Sequence, residues 1–138
     1  MAERAKVMLG NEVLSRESLA QYLTQWSRDA GVNVEIWALP DEIVPAHVMA
    51  AVSVCITEAL SNIEKYGQAR TVSVVITVSM SGLRLTISDD GQRFETLRPG
   101  FGIAVMRAAM TSVGGSFSIN GTPGGGITIS GAVPRTRW

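Results

Sequence analysis

VSVVITVSM (Val72–Met80) and LRLTIS (Leu83–Ser88), joined by Ser81-Gly82, read as two strands separated by a tight turn. β-Branched residues crowd the first run and alternation with polar residues marks the second, which is the pattern of a hairpin. Two strands joined so closely run antiparallel, because a parallel pair needs a long crossover between its members. No βαβαβ alternation surrounds the pair, which disfavours a doubly wound parallel sheet.

Upstream, Leu19, Tyr22, Leu23 and Trp26 fall at helical spacing in a segment that runs from a candidate cap, Ser15, to Ala30, with Gly31 in the place of a C-terminal glycine. Val32, Val34 and Ile36 then alternate with Asn33, Glu35 and Trp37, a strand pattern that Pro40 stops. Pro45 suits the first turn of a longer helix to about Tyr66, whose apolar positions Val48, Val52, Cys55, Ile56, Ala59, Leu60 and Ile63 make a wide buried face. Downstream, a polar stretch from Asp90 to Gly100 leads to a third helix, Phe101 to Val113, and a closing hairpin, Phe117–Asn120 and Ile127–Val133, that turns through TPGGG. The order is helix, strand, helix, two strands, helix, two strands. It predicts an α+β fold in two layers, a mixed but mostly antiparallel sheet covered on one face by three helices. The whole chain, 1–138, reads as one domain with residues 1–13 as a flexible lead-in.

The composition suits one core. The chain has 138 residues, 46% of them hydrophobic and 17% charged, which places it among globular domains and away from disorder. Twelve basic residues balance twelve acidic ones, so no overall field points to nucleic acid or an anionic membrane, and an anion site must be built locally. The single cysteine, Cys55, excludes an internal disulfide and reads as a small buried hydrophobe. The N-terminal segment MAERAKVMLG lacks the apolar run of a signal peptide, and no run of about 18 apolar residues occurs, so no direct membrane contact is expected.

Three constellations carry chemistry. On the long helix, Glu58, Asn62, Lys65 and Tyr66 share one side at spacings of three and four. An ordinary solvated face has the same spacing. In a functional reading Asn62 offers a neutral carbonyl oxygen to Mg²⁺, and Glu58 accepts a proton from a nucleophile. Next, ISDDGQRF leaves a strand and enters a glycine turn. Asp89 there is either a turn aspartate or a carboxylate that accepts from an adenine amino group. Lastly, Gly100-Phe101-Gly102 stands directly before a predicted helix, where backbone amides can bind phosphate with no net positive charge. The spacing is not that of a dinucleotide fingerprint, and a Walker sequence is absent. His47 is the sole histidine and lacks the acidic neighbour of a phosphoacceptor. With one cysteine it cannot furnish a zinc site, and no nucleophile elbow accompanies it.

Taken together and in this order, the three clusters resemble the GHKL ATPase superfamily. ITEALSNIEKYGQA (Ile56–Ala69) looks like its asparagine box, SDDGQRF (Ser88–Phe94) like its first glycine box, and GFGIAVMRAAMTSVGGSFSINGTPGGGITISGAVP (Gly100–Pro134) like its second glycine box and closing hairpin. The run MRAAM…GG…PGGG…P is most similar to the NarL-type, DesK-like bacterial histidine kinases. The resemblance covers about residues 14 to 134. It implies a Bergerat-type α/β sandwich that holds ATP between the helix layer and a lid, here Asp90 to Gly100. It implies that Asn62 binds Mg²⁺, that Glu58 assists transfer, that Lys65 and Tyr66 lie near the phosphates, and that Asp89 recognises adenine. Gly91, Gly100 and Gly102 would shape the lid and phosphate site, with Arg93, Phe101, Ile103 and Thr128 also about the nucleotide. The activity implied is that of a cytoplasmic protein-histidine kinase in two-component signalling. The γ-phosphoryl group of ATP passes to a histidine on separate dimerisation helices, and a response regulator is served indirectly. Without that histidine segment the chain is expected to bind nucleotide and not to autophosphorylate.

Two positions depart from the pattern. Arg93 holds the place of the second glycine of the first glycine box, where it either strains the lid or reaches a phosphate. Ile127 stands where a threonine usually follows the last glycine run, with Thr128 one place later. Two further readings share the pocket, an anti-sigma-factor serine kinase and a degenerate nucleotide-binding module that acts through protein contacts.

Overall fold

The computed structural model describes residues 16–66, 68–91, 102–121 and 124–138. Ser15 lies outside the described residues. Helix α1 (Arg16–Ala30) buries Leu19, Tyr22, Leu23 and Trp26, the four positions that its spacing singled out. It closes as a left-handed glycine permits: Gly31 has φ +71° and its amide donates to the Ser27 carbonyl at 3.0 Å. Strand β1 (Asn33–Ala38) follows at an edge of the sheet, and its register slips beside Trp37, which is 71% exposed.

Helix α2 (Ala46–Tyr66) starts after Pro45, whose carbonyl accepts from the amides of Val48 and Met49. Ten of its residues are buried, among them Val48, Val52, Ile56, Leu60 and Ile63. By length and composition α2 would pass for a membrane span, but 56% of its most apolar window is buried inside the protein, which is how the central helix of a domain core looks. Trp26 Nε1 donates to the Glu64 carboxylate and fastens α1 to α2. Burial and that same carboxylate push the neighbouring Tyr22 phenol up to about 12.

Strands β2 (Thr71–Ser79) and β3 (Gly82–Asp89) form the hairpin, antiparallel, with Ser79 opposite Gly82. The two linking residues are thus Met80 and Ser81, one place earlier than Ser81-Gly82. Gly82 is drawn into the ladder because its backbone (φ +131°) lies against the next strand, where a Cβ would strike the Val133 carbonyl. Helix α3 (Ile103–Ser112), strand β4 (Ser116–Gly121) and strand β5 (Ile127–Pro134) complete the order that the sequence predicts.

The sheet runs β1-β2-β3-β5-β4, parallel only between β1 and β2. Val72, Val74 and Ile76 of β2, Leu83, Leu85 and Ile87 of β3, and Ile127, Ile129 and Val133 of β5 join one core with the inward sides of the helices. The alternate positions, such as Arg84, Thr86 and Ser88, form the more exposed face. This is the α+β arrangement expected, with three helices on a five-stranded mixed sheet. After Pro134 a short 3₁₀ turn, Arg135–Arg137, folds back. Arg135 bridges the Ser79 carbonyl and Glu42, each at 2.8 Å, and stacks over Trp138 at 4.2 Å.

Leu60, 1% exposed at the α2–sheet contact, is expected to dominate stability. Leu60→Ala should lower the unfolding free energy by about 2–5 kcal/mol. Ile43→Ala, at a side chain 89% exposed, should change it by no more than about 0.5 kcal/mol. Urea unfolding of both variants checks this, and equal small effects would mean that α2 is not the centre of the core.

Candidate nucleotide site

One end of the sheet carries a pocket. Because α2 lays its apolar face on the strands, the residues of its last turns that point sideways arrive at the pocket mouth. Asn62 and Tyr66 line it, together with Ala59 and Ile63. Asn62 is half-buried, and its Oδ1 atom is shielded from solvent. Lys65, on the same turn, is exposed and stands outside the lining. Opposite α2, Ile87 and Asp89 come from the end of β3, and Ile127 and Ile129 from the start of β5. The two pairs are two residues apart because side chains of one strand face alternate every second position.

That alternation settles Thr128. It stands between Ile127 and Ile129, so its side chain takes the other face of the sheet, where its hydroxyl pairs with that of Ser88 at 2.9 Å. Thr128 therefore does not line the pocket, contrary to the expectation from the resemblance. Ile127 does, at 7% exposure.

Asp89 is half-buried. Its carboxylate accepts from the Gly91 amide at 2.8 Å and from the backbone of Ile127. Burial is the main influence and raises its pKa above the ordinary value. The Gly91 bond works against this, the Asp90 charge adds to it, and the Ile127 bond works against it again. Both neighbours of Asp89 are packed without room for a side chain. A Cβ on Gly91 would come within 2.6 Å of the Ala69 amide, and one on Gly126 would strike the Asp89 carbonyl. Ala69, Asp89–Gly91 and Gly126 thus come together beside the pocket.

Glu58 stands one turn before Asn62 on α2, outside the pocket lining. Its carboxylate lies against Gly102, the residue that begins α3 in the left-handed conformation at φ +71° with no side-chain cap. A Cβ there would collide with Glu58. The first amides of α3 therefore open beside a carboxylate and a bare glycine. Ile103, the first residue of α3, packs on the core. Cys55, one turn before Glu58, is fully buried, and its Sγ faces the Met106 carbonyl at 3.8 Å. Burial, and then the Glu58 charge, pushes the thiol up to about 12, an inert state. Arg93, Gly100 and Phe101 lie outside the described residues.

Sequence reasoning missed Gln68, Ala69, Ile87, Ile119 and Ile129 as pocket wall. Ile87 was within reach of it, standing two residues before Asp89 on one strand. Ile119 was not, because its place depends on the pairing of β4 with β5.

Asp89 yields a pH-dependent expectation. A carboxyl whose pKa is raised on folding binds its proton more tightly in the folded state. Its contribution is therefore favourable at low pH and is lost as pH rises through the carboxylate range. Asp89→Asn removes that loss while keeping an acceptor for Gly91. Without nucleotide, the variant should match or exceed the parent in urea midpoint at about pH 7, with the gap closing towards about pH 4. A variant less stable than the parent at neutral pH would assign Asp89 a structural role.

A sequence profile described as the histidine kinase-like ATPase domain matches residues 14–129. The chain is 31% identical over 103 residues to the sensor histidine kinase YxjM of Bacillus subtilis, a match covering 75% of this chain and 25% of that protein. It is 25% identical over 122 residues to the sensor histidine kinase LiaS of the same organism, covering 86% and 34%. The chain thus spans about a quarter to a third of the length of these relatives. Among solved structures, the blue-light activated histidine kinase of Erythrobacter litoralis EL346 superposes with a TM-score of 0.74 at 18% identity, over 96% of this chain and 47% of that one. The profile alone covers most of the chain, and the fold agrees with it: this protein belongs to the histidine kinase-like ATPase domain family.

Proposed function

We propose that this chain is the ATP-binding catalytic domain of a cytoplasmic sensor histidine kinase, which donates the γ-phosphoryl group of ATP to a histidine on separate dimerisation helices and so feeds a response regulator. The observation that carries the reading is the meeting of Asn62 and Asp89, from different layers of the fold, at one pocket with apolar walls. A flat base fits between isoleucines, and a carboxylate fixed by backbone amides is an acceptor for its exocyclic amino group. The phosphates then extend towards the open N-terminus of α3, whose amides suit anions without help from net charge.

Asn62 suits Mg²⁺, which keeps water and phosphate oxygens as its main ligands. Among the described residues no three His, Cys, Asp or Glu side chains converge to form a cage of the kind that other metals prefer. When bound there with the nucleotide, the ion would neutralise phosphate charge. Glu58, beside Gly102, is within the same region and serves as the group that takes a proton from the attacking imidazole. Lys65 and Tyr66 flank the phosphate path.

The acceptor histidine comes from outside this domain. His47 is at the far end of α2 from Asn62, about 22 Å along the helix axis, and its Nε2 bonds with the Arg137 carbonyl. The relatives named above are sensor histidine kinases, which favours this reading over an anti-sigma-factor serine kinase.

The deciding experiment is calorimetric titration with a non-hydrolysable ATP analogue, with and without Mg²⁺. Saturable binding that tightens with Mg²⁺ is expected, and Asn62→Ala should abolish the Mg²⁺ effect. Glu58→Gln should bind almost as the parent does, yet slow phosphorylation of a supplied histidine-bearing helical partner. Equal loss of ATP affinity in both variants would sink that division of roles.

Ile127 sets the strength of binding. It presents hydrocarbon to the base where relatives of this pattern present a hydroxyl, and Thr128 faces the wrong side to replace it. A polar edge of the base left without a partner costs roughly 1–3 kcal/mol. Ile127→Thr should therefore tighten ATP binding several-fold in the same titration, and an unchanged affinity would show that the base does not meet this position.

A further inference from the structure

Asp90 has no part in the chemistry described so far, yet it joins two walls of the pocket. Its Oδ1 accepts from the amides of Arg70 at 2.8 Å and Thr71 at 3.0 Å, while its own amide donates to the Thr71 carbonyl at 3.3 Å. The side chain thus extends the β2–β3 ladder by one rung beyond its last pair, Val72 with Asp89. The Arg70 carbonyl is held from the other side by the Asn33 amide at 3.0 Å. The peptide that leaves α2 is therefore clamped between β1 and the end of β3. The clamped segment includes Gln68 and Ala69, which line the pocket, and Ala69 presses on Gly91, whose amide orients Asp89. Gly126 closes the other side, packed on the Asp89 carbonyl and the Asp90 Cα. Asp90 thus ties the residues that follow Gln68 and Ala69 to the strand end that carries Asp89.

We propose that Asp90 is a positioning residue for nucleotide selection: by holding the 68–71 segment against the end of β3, it sets the spacing at which Asp89 reads the amino group of the base. The inference rests on the nucleotide reading given above. Both amide bonds go to a single oxygen, so an uncharged acceptor of the same length suffices and a longer acid does not.

The test measures binding of ADP and of IDP, whose base has an oxo group in place of the amino group, to the parent and to Asp90→Asn, Asp90→Ala and Asp90→Glu. Each variant's unfolding midpoint is taken without nucleotide. Asp90→Asn should keep ADP affinity within about threefold and retain the preference for ADP. Asp90→Ala and Asp90→Glu should lose about tenfold in ADP affinity and most of that preference. A purely structural role would lower the unfolding midpoint and leave the ADP-to-IDP ratio intact, which would overturn the proposal. Rescue by Asp90→Glu and not by Asp90→Asn would also overturn it, by making charge the requirement. If Asp90→Ala does not fold, the Asn and Glu variants decide the matter between them. A parent that binds neither nucleotide overturns both this inference and the reading beneath it, whereas a selective parent with equally selective Ala and Glu variants overturns this inference alone.

Discussion

The apolar face of α2 has nowhere to go but the inner side of β2, β3 and β5. Val52, Ile56 and Leu60 are each within 1% of complete burial, and such side chains contribute about 1.5–3 kcal/mol apiece by leaving water. With that face committed, the helix cannot rotate. Glu58, Asn62 and Tyr66 must then emerge along its flank, in order, from the start of α3 to the end of β3. The site is a by-product of the core. A helix of the same composition with its apolar positions shifted by one residue would turn Glu58 and Asn62 together away from their present places.

The meeting of Ala69, Asp89–Gly91 and Gly126 depends on this placement and adds a second constraint, the absence of side chains. Gly91 and Gly126 bring backbone against backbone at distances that no Cβ permits. The amides so exposed supply Asp89 and Asp90 with partners that charged side chains would otherwise have to provide. This is how a chain with no net charge holds two adjacent carboxylates at one loop. Their environments separate them. Burial raises the pKa of Asp89, whereas the amides of Thr71 and Arg70 lower that of the exposed Asp90. The first carries an unfavourable ionisation in the folded protein. The second is stabilising as an anion, so its contribution is present at neutral pH and lost as pH falls through its lowered value.

Much of this was legible in the sequence where a period or a special residue decided the matter. The four buried positions of α1, the extent of α2 and the order of all eight elements follow from apolar spacing, and Gly31 from the need for a left-handed end. What escaped depends on pairing between distant strands. The hairpin turn slipped by one residue because Gly82 answers to Val133, fifty-one positions away. Motif adjacency alone puts Thr128 at the nucleotide, whereas its alternation with Ile127 and Ile129 assigns it to the opposite face. Parity within β5 could have been read; its phase relative to the pocket could not, since that is fixed by the register of β5 on β3.

That register gives the isoleucine at 127 its meaning. Ser88 lies opposite Thr128, and their hydroxyls satisfy each other on the outer face, so Thr128 gains nothing by turning inward. A slip of one residue in β5 would bring Thr128 to the pocket, but it would also move Ile127 and Ile129 out of the core and carry Gly126 away from Asp89. The loss of two buried isoleucines far exceeds the gain of one hydroxyl contact. The strand therefore keeps its register and the pocket keeps a hydrocarbon wall, beside which the carboxylate of Asp89 is held by the Gly91 and Ile127 amides.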